Sequence, residues 1–358
     1  MNSSGGWRRC LVAGGAGFIG SNLCRDLLDH GAAVDCIDDL STGRIESIED
    51  LLARPGFRFV RGSVADADTV QHLNARHYRS VYHLACPTGV PNILPMGDRM
   101  LLASSVGTVN LIEVARRSRA RFLFASTAEV YGDPHVSPQP ETYTGNVDPV
   151  GARSAYEEGK RFGEAATRHF ARQYGIDAYI VRIFNTYGPG MSPRDKRVIP
   201  QMLLALMKGS PMRIYGDGSQ TRTFLHIRDL LDAFRRILSF GTPGEVYNAG
   251  STRQVTMRQL RELAMAATAR YVPAEYVQHF IDDHRGRLPD ISKLEALGWR
   301  QQVELEAGLR DSYEAFLRGR GGMGPARNGA RPGAFSATSI VAPEIEQRQA
   351  GTSSLTLS

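Results

Sequence analysis

Cysteine is scarce in this chain and poorly placed for bridging. Its four cysteines, Cys10, Cys24, Cys36 and Cys86, all fall in the first quarter of the sequence, with neither C-x-x-C spacing nor a paired framework. That excludes a disulfide scaffold and predicts reduced thiols in a cytoplasmic protein. Long apolar runs are missing too. Stretches such as 199–207 fall far short of the roughly 20 residues that cross a bilayer. The start, MNSSGGWRRCLVAGG, has no signal-peptide core. The expectation is a soluble, unexported protein with no membrane partner. A third absence is a basic stripe interleaved with aromatics. The formal net charge is +6, but from Arg318 onward five arginines and two glutamates contribute +3 of it, in a Gly/Pro/Ser/Thr-rich setting with no hydrophobic period. Residues 318–358 are therefore expected to be a disordered tail, and no nucleic-acid partner is expected.

What is present is enough for a large core. A chain of 358 residues needs neither disulfides nor metal to fold, and one globular unit ending near residue 315 is the simplest reading. "RCLVAGGAGFIGSNLCRDLLDHGAAVDCIDDL" reads as strand, glycine turn, helix and second strand, with apolar runs too continuous for a sheet wet on one face. Further strands are predicted at 57–62, 80–86, 121–127 and 177–185, separated by helical patterns near 66–76, 99–118 and 155–174. Alternation of this kind predicts an α/β fold with a doubly wound parallel sheet. After Asn185 the texture changes to Gly/Pro-rich loops, short helices and short strands, which suits a smaller substrate-capping domain. The division expected is 8–185 with 222–241 returning to it, and 186–221 with 242–317.

Gly14, Gly15, Gly17 and Gly20 follow the first strand directly and open the first helix. Small residues there let a pyrophosphate approach the backbone at the positive end of the helix. Asp38 ends the next strand, 24 residues beyond Gly14, where its carboxylate can accept from a ribose diol and repel a 2′-phosphate. The cofactor expected is NAD, held by Gly14, Gly17, Phe18, Ile19, Gly20, Asp38, Leu84, Tyr156 and Lys160. No metal is expected. Further along, "SAYEEGK" sets Tyr156 and Lys160 four residues apart, on one helical face. An ammonium beside the phenol is expected to draw its pKa down towards neutrality and make it a base. "FASTAEVYGDP" ends a parallel strand on Ser126, Thr127, Glu129 and Tyr131, at the end where open α/β sheets bind ligands. His83 is expected to be structural, and Tyr131 to pack against the sheet domain as readily as to touch substrate.

These residues resemble the extended short-chain dehydrogenases/reductases that act on nucleotide sugars, and among them the UDP-glucuronate decarboxylases (UDP-xylose synthases). The likeness runs from residue 10 to about 315 and is most specific in "HLACP", "STAEVYGDPHVSPQPETYTGNVDPVGARSAYEEGKRFGE", "RIFNTYGPGM", "YGDGSQTRTFLHIRDL" and "RGRLPDI…LGW". It implies a Rossmann NAD domain, a nucleotide-sugar-binding domain, a homodimer formed through helices 99–118 and 155–174, and decarboxylation of a UDP-sugar through a 4-keto intermediate. Thr127, Glu129, Tyr156, Lys160 and Arg287 are then the expected catalytic residues, with Arg285 a rival of Arg287. Asn185, Arg197, Tyr215, Gln220, Arg222 and Arg287 are expected around the substrate. One departure stands out. The family's Thr-Ser-Glu reads Thr127-Ala128-Glu129 here, so one hydroxyl that could hold the intermediate ketone is missing. A 4,6-dehydratase would need an acid at that same position, which Ala128 cannot supply. A 4-epimerase using the same oxidation is the rival reading.

Overall fold

The computed structural model describes residues 9–89, 92–278 and 287–320. The chain runs β1 (Arg9–Ala13), α1 (Phe18–Asp29), β2 (Ala33–Asp38), α2 (Glu49–Leu52), β3 (Phe57–Arg61), α3 (Ala67–Asn74), β4 (Ser80–His83), α4 (Gly97–Ser104), α5 (Val106–Ser118), β5 (Arg121–Thr127), α6 (Ser154–Tyr174) and β6 (Ala178–Ile183). There follow β7 (Thr186–Tyr187), α7 (Val198–Lys208), β8 (Met212–Tyr215), β9 (Thr221–Thr223), β10 (Leu225–His226), α8 (Ile227–Phe240), β11 (Val246–Ala249), β12 (Gln254–Thr256), α9 (Met257–Thr268), β13 (Ala274–Val277), α10 (Ser292–Glu295) and α11 (Leu305–Arg320).

Seven strands form one sheet in the order β11-β6-β5-β4-β1-β2-β3, and every pairing in it is parallel. Along β1 the side chains alternate between two cores. Cys10 and Val12 join the layer under α1 and α8, while Leu11 and Ala13 join the layer under α3 and α5. Both faces are buried, which is why apolar residues occupy successive positions along the strands rather than alternate ones. The chain winds outward through β2 and β3, then crosses back to β4 on the other side of β1. The C-terminal ends of β1 and β4 therefore flank the point where the winding reverses, and a crevice opens there.

A third apolar cluster lies apart from the sheet. Leu203 and Leu206 of α7, Ile214 of β8, Leu260 of α9, and Leu309 and Phe316 of α11 pack together there. β8 pairs with β13 in parallel, and β9 pairs with β12 antiparallel. The sheet takes its last strand from Val246–Ala249, beyond the 222–241 segment expected to return to it. The helix expected over 99–118 is two helices, α4 and α5, broken at Ser105 (φ −102°, ψ −82°). Its hydroxyl turns back to donate to the Leu101 carbonyl at 2.6 Å, a bond that bends helices. Of the expected tail, Arg318–Arg320 finish α11. Residues 321–358 lie outside the described residues, as does Arg285.

Candidate active site

The turn after β1 is shaped by what its glycines leave out. Gly14 has φ +80°, and a Cβ there would lie 2.7 Å from the Leu84 and Ala85 backbone; at Gly20 it would lie 2.1 Å from the Gly14 carbonyl oxygen. β1, β4 and α1 can therefore come together only with glycine in these places. A Cβ on Gly17 would meet the Gly14 oxygen at a tight 3.3 Å, and this glycine lines the cleft at the start of α1. The cleft above it measures about 680 Å³ and is lined by Gly14, Gly17, Phe18, Ile19, Gly20, Asp38 and Leu84.

Asp38 is held rigidly at the end of β2. Its Oδ2 accepts from the Ala16 N–H at 3.0 Å and its Oδ1 from the Leu40 N–H at 2.8 Å. Burial pushes its carboxyl up from the ordinary range, and the two N–H bonds pull against that. An open glycine cradle at a helix start, with an oriented carboxylate one strand away, fits a dinucleotide with a free ribose diol.

The same cleft continues over Thr127, Glu129, Tyr156, Lys160 and Arg287. β5 stops at Thr127 because its hydroxyl accepts from the Glu129 N–H at 3.3 Å, capping a short 3₁₀ turn over Ala128–Tyr131. Tyr156 and Lys160 share the inner face of α6. The expected drop in the phenol pKa is not what the fold provides. The Lys160 ammonium donates to the Ala125 carbonyl at 2.8 Å and sits over the Phe124 ring at 5.0 Å. Burial pushes the Tyr156 phenol up rather than down, and Cys86 and Glu129 push the same way; a hydrogen bond from the Thr127 hydroxyl and the charge of Arg153 act against them. Burial also lowers the pKa of Lys160. The correction follows from desolvation, which a sequence does not display.

Glu129 stands between two guanidinium groups. Arg153 Nη2 donates to one of its oxygens and Arg287 Nη1 to the other. Arg287 also donates to the Gly132 carbonyl at 3.1 Å, and Arg153 Nε donates to Glu157 at 2.9 Å. A second cleft of about 860 Å³ adjoins the first and is lined by Asn185, Arg197, Tyr215, Gln220 and Arg222, among others. Asn185, Arg197 and Arg222 line both clefts. Arg197 lies 5.9 Å from the Phe18 ring and pairs with Asp195 at 2.6 Å. Gln220 donates to the Tyr215 carbonyl at 2.8 Å. Among the described residues, no group of His, Cys, Asp and Glu could hold a metal ion.

Other expected residues turn away from the cleft. His83 is fully buried, with its ring nitrogen at 3.1 Å from both the Ala103 carbonyl and Thr108, and burial lowers its pKa to about 3. Tyr131 donates to Asn248 at 2.8 Å and accepts from Arg182 at 3.0 Å. Arg153 is the residue that sequence reading overlooked. Its one signal was its place three residues before Tyr156 in "ARSAYEEGK".

Comparison with known proteins agrees with this architecture. Residues 10–250 match the family model "NAD dependent epimerase/dehydratase family". UDP-glucuronic acid decarboxylase 1 of Arabidopsis thaliana is 38% identical over 84% of this chain and 68% of its own length. UDP-glucuronic acid decarboxylase 3 of the same plant is 37% identical over 86% of this chain and 89% of its own. Among solved structures, the UDP-glucuronic acid 4-epimerase of Bacillus cereus, in complex with UDP-glucuronic acid and NAD, superimposes with a TM-score of 0.76 at 26% identity, covering 87% of this chain and 99% of that one. The chain belongs to the NAD dependent epimerase/dehydratase family, beside relatives named UDP-glucuronic acid decarboxylase.

Proposed function

We propose that this protein decarboxylates UDP-glucuronate through a 4-keto intermediate, giving UDP-xylose, UDP-4-keto-xylose or both. One juxtaposition supports this reading: the Tyr156 phenol and the Thr127 hydroxyl share a cleft with the arginine-bound Glu129, next to the glycine turn. Bound NAD supplies a hydride acceptor for the sugar C4 and afterwards a donor, so that it ends the cycle as it began. In its ionised form, which the Thr127 hydrogen bond favours, Tyr156 takes the C4 hydroxyl proton as that carbon becomes a ketone, and Thr127 holds the same oxygen. Lys160 anchors the Ala125 carbonyl and so fixes the strand end that presents Thr127.

Once C4 is a ketone, the C6 carboxylate is β to it. The C5–C6 bond then breaks with its electrons entering an enolate, and carbon dioxide leaves. Arg287 meets the carboxylate, and Glu129 orders the return of a proton to C5. Tyr156 gives its proton back when the ketone is reduced. Ala128 offers no hydroxyl to hold that ketone, which favours escape of some UDP-4-keto-xylose with the cofactor left reduced. Asn185, Arg197, Tyr215, Gln220 and Arg222 hold the UDP group, with Arg222 as a forked donor to phosphate.

The assay is incubation of the purified protein with UDP-glucuronate, with and without added NAD, and identification of the nucleotide sugars by mass. Loss of carbon dioxide without an external reductant is expected. An unchanged mass with inverted C4 would assign a 4-epimerase instead, and no turnover would defeat both. The working unit is a homodimer in a reducing cytoplasm; the four free cysteines and the apolar outer faces of α4 to α6 support this. No described helix is long and apolar enough to cross a membrane.

A further inference from the structure

Arg153 occupies a position that helix stability does not explain. It is the N-cap residue of α6, where the helix dipole favours acids over cations. No cap hydrogen bond comes from its side chain. The guanidinium instead reaches into the cleft and bridges two acids, Glu157 through Nε at 2.9 Å and Glu129 through Nη2. Glu157 is buried at the start of α6, its side chain 5% exposed, so the fork cannot swing freely. The backbone links this arginine to the phenol, since the Tyr156 N–H donates to the Arg153 carbonyl at 3.1 Å. One helical turn therefore carries both the phenol and the group that holds Glu129.

Arg287 grips Glu129 from the other side and is itself tied to the Gly132 carbonyl. The carboxylate thus has one oxygen on each arginine, with one arginine belonging to α6 and the other to the segment after residue 286. Planar guanidinium forks fix direction as well as distance, which a lysine in either place could not do.

We propose that Arg153 is a positioning residue: it acts through Glu129, setting where that carboxylate stands relative to the Tyr156 phenol and so the geometry of proton return to C5. The role rests on the decarboxylase reading, because proton return is needed only after carbon dioxide has left. Glu157 anchors the Arg153 fork, and the fork in turn holds Glu129.

A double-mutant cycle tests it. Arg153→Met should lower kcat for UDP-glucuronate about 100-fold, the scale expected when a reacting group is misplaced by about 1 Å. KM and the affinity for UDP should stay within about threefold. In a Glu129→Gln background the same replacement should change kcat by less than about threefold, because the group through which it acts has been neutralised. Arg153→Lys, which keeps the charge and loses the fork, should recover part of the activity. A full loss repeated in the Glu129→Gln background, or an equal loss of UDP affinity, would overturn the proposal. If the parent protein leaves UDP-glucuronate untouched, the decarboxylase reading fails by itself. A crystal structure of Arg153→Met with UDP bound then decides the positioning: the Glu129 carboxylate should be displaced, and an undisturbed carboxylate on Arg287 would refute it.

Discussion

At the scale of single residues the site turns on a partly buried phenol. Burial raises the Tyr156 pKa, and the hydrogen bond from Thr127 favours its ionised form. Tyr156→Phe should cut turnover by on the order of 10³-fold, within the usual range for a lost general acid–base group, while NAD affinity followed by fluorescence titration stays unchanged. Thr127→Val removes a donor that stabilises the phenolate. The phenol pKa must then rise further, and the alkaline-going increase of kcat/KM should move to higher pH; a profile that stays put or moves down would separate Thr127 from the ionisation of Tyr156. The spacing of Tyr156 and Lys160 was legible in the sequence because helical period is a local property. The partners of Glu129 were only half legible, since Arg153 and Arg287 lie 24 and 158 residues away from it. The direction of the phenol shift was not legible at all, because it depends on how much of the fold closes over the ring.

At the scale of elements, the alternation of strands and helices was readable because both faces of the sheet are covered and its strands are rich in buried apolar residues. The break at Ser105 was not, since it depends on packing from elsewhere: a Cβ on Gly107 would sit 2.5 Å from Val64, so α5 lies close against the segment after β3. The segment carrying Arg287 is held in a comparable way by Gln139, which is fully buried. Its Oε1 accepts from the Leu288 N–H at 2.8 Å, its own N–H donates to the Leu288 carbonyl at 2.8 Å, and its carbonyl accepts from the Asp290 N–H at 2.9 Å. Gln139→Ala leaves the Leu288 N–H without its acceptor, which costs about 1–3 kcal/mol when the group is buried. Denaturant unfolding should report that loss. Because Leu288 adjoins Arg287, kcat should fall in the same variant while UDP affinity holds; a variant that is destabilised but fully active would show that Arg287 is placed by its contacts with Glu129 and Gly132 alone.

At the scale of the whole molecule, we propose a division into a dinucleotide domain built on the sheet and a smaller unit built on the α7–α9–α11 cluster, with the substrate clefts where they meet. The boundary is not a single point in the chain, because β11 rejoins the sheet after α8 and Trp299 packs back against α8. Its indole N–H donates to the Asp229 carbonyl at 3.1 Å, and the Asp229 carboxylate accepts from the Gln302 and Val303 N–H groups. We propose association through what the sheet domain leaves uncovered. Leu101 and Leu102 of α4, Val106 and Val109 of α5, and Phe162 of α6 are all exposed, an apolar set that a monomer would hold in water at a cost of about 25 cal/mol per Å². A second copy presenting the same helices can cover it with an isologous interface. Phe162 is on the helix that presents Tyr156 and Lys160 to the cleft, so the interface would brace the helix that carries the phenol. Sedimentation equilibrium should give twice the chain mass for the parent and the single mass for Phe162→Glu, since a carboxylate buried against apolar neighbours without a partner is strongly disfavoured. If the parent sediments as a monomer, the exposed set needs another explanation and Phe162→Glu should leave turnover unchanged. If it is a dimer that Phe162→Glu dissociates, a fall in kcat without loss of NAD affinity would show that the brace on α6 reaches the phenol.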